Sequence, residues 1–163
     1  MATALHNSNS VHFPVEFIDP LRVAVVTTEW NYQITDRLLD GVLKYFKENG
    51  YPEDTTSVFR VPGSVELTFA ANQLVKTNCY DAIIVIGCVI RGDTPHFDYV
   101  CESVTNGVAT LNATTDVPVV FGVLTVENEE QALERAGGCL GNKGEEFAEC
   151  AVKMVNFILK LKK

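Results

Sequence analysis

Four short runs of apolar, largely β-branched residues alternate with stretches of helical periodicity. This alternation restricts what the chain can fold into more than any other feature. The runs are LRVAVVTT (21–28), TSVFRV (56–61), DAIIVIGCVI (81–90) and VPVVFGVLT (117–125). Runs with so little polar alternation suit strands covered on both faces. After the first, Ile34, Leu38, Leu39, Val42, Tyr45 and Phe46 recur at helical spacing, and ENGYPED closes that helix with Gly and Pro. A second helix is expected over about 64–76 with Val65, Phe69 and Leu74 turned inward. Phe97, Val100, Cys101, Val104, Val108 and Leu111 mark a third. A short helix near 127–136, a turn at GGCLGNKG and a last helix from about 144 to 161 complete the chain. Strict strand–helix alternation predicts a parallel sheet with right-handed crossovers and helices on both faces.

A chain of 163 residues fits one domain with a substantial core. Residues 1–20 are expected to form a partly flexible N-terminal tail, because MATALHNSNS lacks the cationic-then-apolar build of a secretory signal. Residues 21–163 are expected to form the single domain. The net charge of −8 argues against nucleic acid and anionic membranes as partners. No apolar run approaches the roughly 18–20 residues that span a bilayer. The five cysteines, at 79, 88, 101, 139 and 150, are odd in number and contain no CxxC, so they read as small reduced thiols in a cytoplasmic protein, with no metal centre.

Open parallel sheets bind ligands beyond the carboxyl ends of their strands. This rule singles out TTEWN, VPGSVE, IRGDTPHF and LTVEN. Trp30, the only tryptophan, suits either packing at the sheet edge or stacking on a planar ring. VPGSVE opens a helix whose first amides are free to donate; Glu66 there serves either the helix dipole or a polar ligand. In RGDTPHF, Gly92 lets backbone approach a ligand, Thr94 is a good N-cap, and Pro95 suits the first helical position. The amides around 93–96 then form an anion nest, with His96 placed to move protons. Arg135 and Lys143 flank the Gly-rich bend, as either a solvated turn or an anion clamp. Neither GxxxxGK[ST] nor GxGxxG occurs.

Five ordered segments carry a family resemblance: EWNYQITDRLLDG, VPGSVEL, GCVIRGDTPHFDYV, PVVFGVLTVENEEQALERAG and GNKG. Together they resemble the 6,7-dimethyl-8-ribityllumazine synthases of riboflavin biosynthesis, from about Arg22 to the C-terminus. The resemblance implies a flavodoxin-like three-layer αβα sandwich around a four-stranded parallel sheet. It implies a transferase that condenses 5-amino-6-(D-ribitylamino)uracil with 3,4-dihydroxy-2-butanone 4-phosphate, without metal or organic cofactor. Carried over by position, Trp30 stacks on the pyrimidine. Asn31, Ser64, Val65, Glu66 and the backbone near Val89 and Ile90 meet the pyrimidine and its ribityl chain. Gly92, Asp93 and Thr94 frame the phosphate, and His96 transfers protons. Phe121 and Arg135 come from a neighbouring subunit, the first to the ring pocket and the second to phosphate, while Lys143 borders the pyrimidine pocket. Trp30 stands where many relatives have Phe, Val65 where a larger aromatic is common, and Cys139 where some have a basic residue.

The resemblance further implies a homopentamer with sites at subunit interfaces. Because GGCLGNKG carries no insertion, a 60-mer capsid of pentamers is compatible, and VHFPVEF (11–17) is a candidate for pairing with a neighbour. The contrasting expectation is a non-enzymatic flavin-binding or shell-forming protein on the same fold, which would need neither His96 nor Arg135.

Overall fold

The computed structural model describes residues 16–162. Its central sheet has four parallel strands: β1 (Val23–Thr28), β2 (Thr56–Val61), β3 (Ala82–Ile90) and β4 (Val119–Val126), in the order β2-β1-β3-β4. The linking helices are α1 (Tyr32–Glu48), α2 (Glu66–Thr77), α3 (His96–Thr114), α4 (Glu129–Arg135) and α5 (Lys143–Leu161). β1 and β3 lie inside the sheet, and β1 is buried at every position. This is the expected three-layer α/β architecture. β2 is an edge strand and leaves Val58 and Phe59 exposed.

Strand alternation sends side chains to two cores. Val23, Val25, Ile84 and Ile86 pack with Leu38, Val42, Phe147, Ala151 and Val152, beneath α1, α4 and α5. Ala24, Val26, Ile83 and Val85 pack with Leu67, Ala71, Val104 and Val108, beneath α2 and α3. The stripes expected of α1 and α3 face these cores, with Tyr45, Phe97, Val100 and Cys101 at the margins.

Three expectations need correction. α2 buries Leu67 and Ala71, whereas Val65 is 43% and Phe69 70% exposed. The helix carries two apolar stripes, and the one holding the smaller side chains lies on the sheet. Thr94 does not cap α3. Pro95 holds the capping position, its carbonyl accepting from the Asp98 N–H at 2.9 Å and the Tyr99 N–H at 3.4 Å, so Thr94 falls one residue too early and no side chain caps the helix. The bend after α4 is a small antiparallel pair, β5 (Ala136–Gly138) with β6 (Gly141–Asn142), with Gly137 and Gly141 at positive φ. Cys79 and Cys139 are exposed, while Cys88 is buried and its thiol is pushed up to about 12, first by desolvation and then by Glu129.

Residues 16–20 lie against the domain: Phe17 stacks on Tyr51 at 4.6 Å and the Asn156 amide donates to the Glu16 carbonyl. Residues 11–15 of the candidate pairing segment lie outside the described residues. Among the described residues no helix is long and apolar enough to cross a membrane.

Candidate active site

The carboxyl ends of the strands bring their loops together through a few hydrogen bonds. After β1, the Glu29 and Trp30 N–H groups donate to the carbonyls of Val61 (2.8 Å) and Pro62 (3.0 Å), so the first loop lies along the second. Asn31 adopts the left-handed conformation (φ 57°), which Asn tolerates better than most residues, and its amide donates to the Cys88 carbonyl at 2.8 Å. The side chain expected to meet substrate therefore also ties the first loop to β3.

Trp30 is 67% exposed, which decides against core packing. Its ring edge lies against Gly63 so closely that a Cβ there would overlap it. The glycine matters here for close approach, since it leaves room for an indole. Gly63 N–H also donates to Glu66 Oε2 at 3.1 Å, so that carboxylate closes the start of α2. Ser64 is buried, and its hydroxyl borders the position of a Cβ on Gly87. Val65, by contrast, faces outward. Trp30, Ser64 and Glu66 thus surround one loop.

β3 runs past β1: their pairing ends at Thr27 and Ile86, whereas pairing with β4 continues to Ile90 and Val126. In a parallel strand, successive residues direct their backbone groups to opposite sides. The Cys88 carbonyl points toward Asn31, and the Arg91 N–H points to Val126 of β4. Ile90 therefore presents its backbone groups beyond the end of β1, and Val89 directs its own into the β4 ladder. The sequence did not distinguish the two.

Gly92, Asp93, Thr94 and His96 are all exposed, and a Cβ on Gly92 would meet nothing within 4 Å. His96 opens α3, at the carboxyl edge. Beside it, Arg91 donates through Nε to Glu127 at 2.7 Å and through Nη1 to Asp98 at 3.2 Å, and lies 4.1 Å over the Phe97 ring. The resemblance favours Arg135 over Arg91 for phosphate, and the residue pattern alone does not join Arg91 to these partners. The signal for this cluster was an arginine just past a core strand, with one carboxylate in the first turn of α3 and another in the turn after β4.

Three expected residues are not gathered into this edge by their own chain. Phe121 stands five residues before Val126, about 16 Å back along β4 at the usual strand rise; it is 37% exposed on the sheet's outer edge. Arg135 ends α4 and turns back on it, donating to the Gln131 carbonyl at 2.8 Å with Glu134 at 3.5 Å. Lys143 begins α5, in the opposite layer from α2, and pairs with Glu146 at 2.6 Å. Its neighbours explain the GNKG motif. Asn142 caps α5 by accepting from the Gly144 N–H (2.8 Å) and donates to the Arg37 carbonyl (2.7 Å). Gly144 lies so close to the Leu38 carbonyl that any Cβ would collide with it. An Asn immediately ahead of the last helix was the legible signal.

A family model described as 6,7-dimethyl-8-ribityllumazine synthase matches residues 20–158. Curated proteins of that name are similar along most of the chain. The one from Bacteroides fragilis is 55% identical, covering 88% of this chain and 100% of its own. That from Phocaeicola vulgatus is 49% identical, with 100% and 98% covered. That from Parabacteroides distasonis is 48% identical, with 96% and 99% covered.

Proposed function

We infer how this chain works from the premise that it belongs to the 6,7-dimethyl-8-ribityllumazine synthase family. It is a transferase of riboflavin biosynthesis. It condenses 5-amino-6-(D-ribitylamino)uracil with 3,4-dihydroxy-2-butanone 4-phosphate, giving the lumazine, phosphate and water. In the mechanism we propose, the exposed Trp30 indole stacks on the pyrimidine. Asn31, Ser64, Val65, Glu66 and the backbone of Val89 and Ile90 border the ring and ribityl chain. The amides of Gly92, Asp93 and Thr94, at the start of α3, receive the phosphate.

The single observation that carries this reading is the edge joined by Asn31–Cys88 and Trp30–Pro62, with His96 opening α3 on the same side. The 5-amino group attacks the ketone and a first water leaves to give an imine. Phosphate is then eliminated. The enol tautomerises, and ring closure expels a second water. Each step relocates a proton, which is the role of His96. Holding two substrates in register supplies much of the remaining acceleration.

The same reading makes the protein a cytoplasmic homopentamer with residues 21–163 as one domain. Each site is completed by Phe121, Arg135 and Lys143, the first two delivered by a neighbour. Support comes from the distance of Phe121 from its own loops and from exposed Val65, Phe69 and Tyr99. A groove of about 620 Å³ between α2 and α3, lined by Val65, Phe69, Asn106 and Thr110, lies on the same side.

The direct test mixes the protein with both substrates and follows lumazine fluorescence and phosphate release; product no faster than the spontaneous reaction refutes the assignment. His96→Ala should lower kcat about 100-fold without abolishing it. Arg135→Ala should raise KM for the phosphorylated substrate about tenfold, the size of one charge-assisted contact. Co-assembling the two variants should restore part of the activity, since some interfaces pair an intact His96 with an intact Arg135. No recovery in mixed assemblies would show that both groups act within one chain.

A further inference from the structure

We propose that Arg91 is a positioning residue that latches the loop bearing Gly92, Asp93, Thr94 and His96, and that its guanidinium does not take the substrate phosphate. The proposal rests on the reading of that loop as the phosphate- and proton-handling segment. In a chain of net charge −8, an arginine one residue from the anion nest would be the obvious phosphate partner. Its geometry says otherwise. Nε is committed to Glu127 at 2.7 Å, Nη1 to Asp98 at 3.2 Å, and one face to the Phe97 ring at 4.1 Å. Two carboxylates already take its charge.

The three partners lie on both sides of the loop. Phe97 and Asp98 belong to the first turn of α3, and Glu127 to the turn after β4. The Arg91 N–H donates to Val126 at 2.9 Å, carrying the β3–β4 ladder one residue beyond the strands. The loop between needs such a fixture. Residues 91–96 are exposed, and α3 begins without a side-chain cap. Arg91 thus ties the start of the loop to the helix that follows it. Glu127 is itself held, its N–H donating to Gln131 Oε1 at 2.9 Å. The Gln131 carbonyl accepts from Arg135. The latch therefore stands between the His96 loop and the helix that ends in Arg135.

Glu127→Gln separates the two roles of Arg91. It removes a negative charge but leaves an amide oxygen within reach of Nε, so a phosphate-binding Arg91 would gain affinity, whereas a latch would be weakened. Wild type, R91K, R91M, E127Q and R91M/E127Q are compared for kcat, KM, inhibition by inorganic phosphate, and amide hydrogen exchange over 91–97. R91M is expected to lower kcat about tenfold and E127Q by less, and both to speed exchange in the loop. The double variant should be no worse than R91M, and R91K should retain more activity. E127Q should bind inorganic phosphate as the wild type does. Wild-type kcat with tighter phosphate binding in E127Q would overturn the proposal. So would loop exchange unchanged in R91M, including when only thermal stability falls. If the wild type forms no lumazine, the site reading fails, while loop exchange still decides the latch.

Discussion

The two faces of the sheet are finished to different degrees. Among the described residues, twenty-three buried ones form the core under α1, α4 and α5, with Phe46, Tyr51 and Phe17 packed together at one end. Under α2 and α3 the buried set is twelve, with Val65, Phe69, Tyr99 and, on the sheet edge, Phe121 exposed; the other layer exposes apolar residues too, among them Leu43 on α1 and Met154, Phe157 and Leu161 on α5. The larger core does more to hold the fold together within the chain. The smaller one lies beside the candidate site loops, and its exposed residues form apolar surface of the kind that marks an interface.

The contrast can be broken first where the effect is largest. Leu38→Ala, within the closed core, should cost about 2–5 kcal/mol in urea unfolding, because the β1, β3 and α5 side chains around it cannot collapse fully. Phe69→Asp should leave far-UV circular dichroism intact and change the stability of the separated chain by less than about 1 kcal/mol, since the ring is largely in water. Sedimentation velocity should nevertheless show smaller particles, and activity should fall with assembly. A Phe69→Asp chain that unfolds as Leu38→Ala does would erase the distinction between the faces. The smallest effect is chemical. Since the thiolate is the reactive form, burial that pushes the Cys88 thiol up to about 12 keeps it protonated at neutral pH. Cys79 and Cys139 should be alkylated rapidly, with Cys88 labelled only after denaturation.

Much of this was legible in the residues, for reasons that also mark where reading stopped. The runs at Val23–Thr28 and Ala82–Ile90 are buried on both faces, so their composition alone announces central parallel strands. Helical stripes in α1 and α3 were readable because one apolar face meets one core. Phe69 misled because periodicity finds an apolar stripe without saying whether this chain covers it. The β5–β6 pair was missed because strands of two and three residues are too short to show alternation. At the candidate site, residue types suggested roles for Trp30 and His96 but said nothing of the commitments of their neighbours. That Asn31 reaches Cys88, that Glu66 closes on Gly63 and that Arg91 is already paired all depend on distances across loops 36 to 57 residues apart or on the exact start of a helix.

The placement of Trp30 has an optical consequence. The chain holds one tryptophan, and its indole stands in solvent at the mouth of the joined loops against Gly63. Indole emission from this protein is therefore the signal of a single locality, with no background from the closed core. A shift in its colour or lifetime speaks for the edge where the loops meet, so the wild-type chain carries its own fluorescent gauge of any change at that edge.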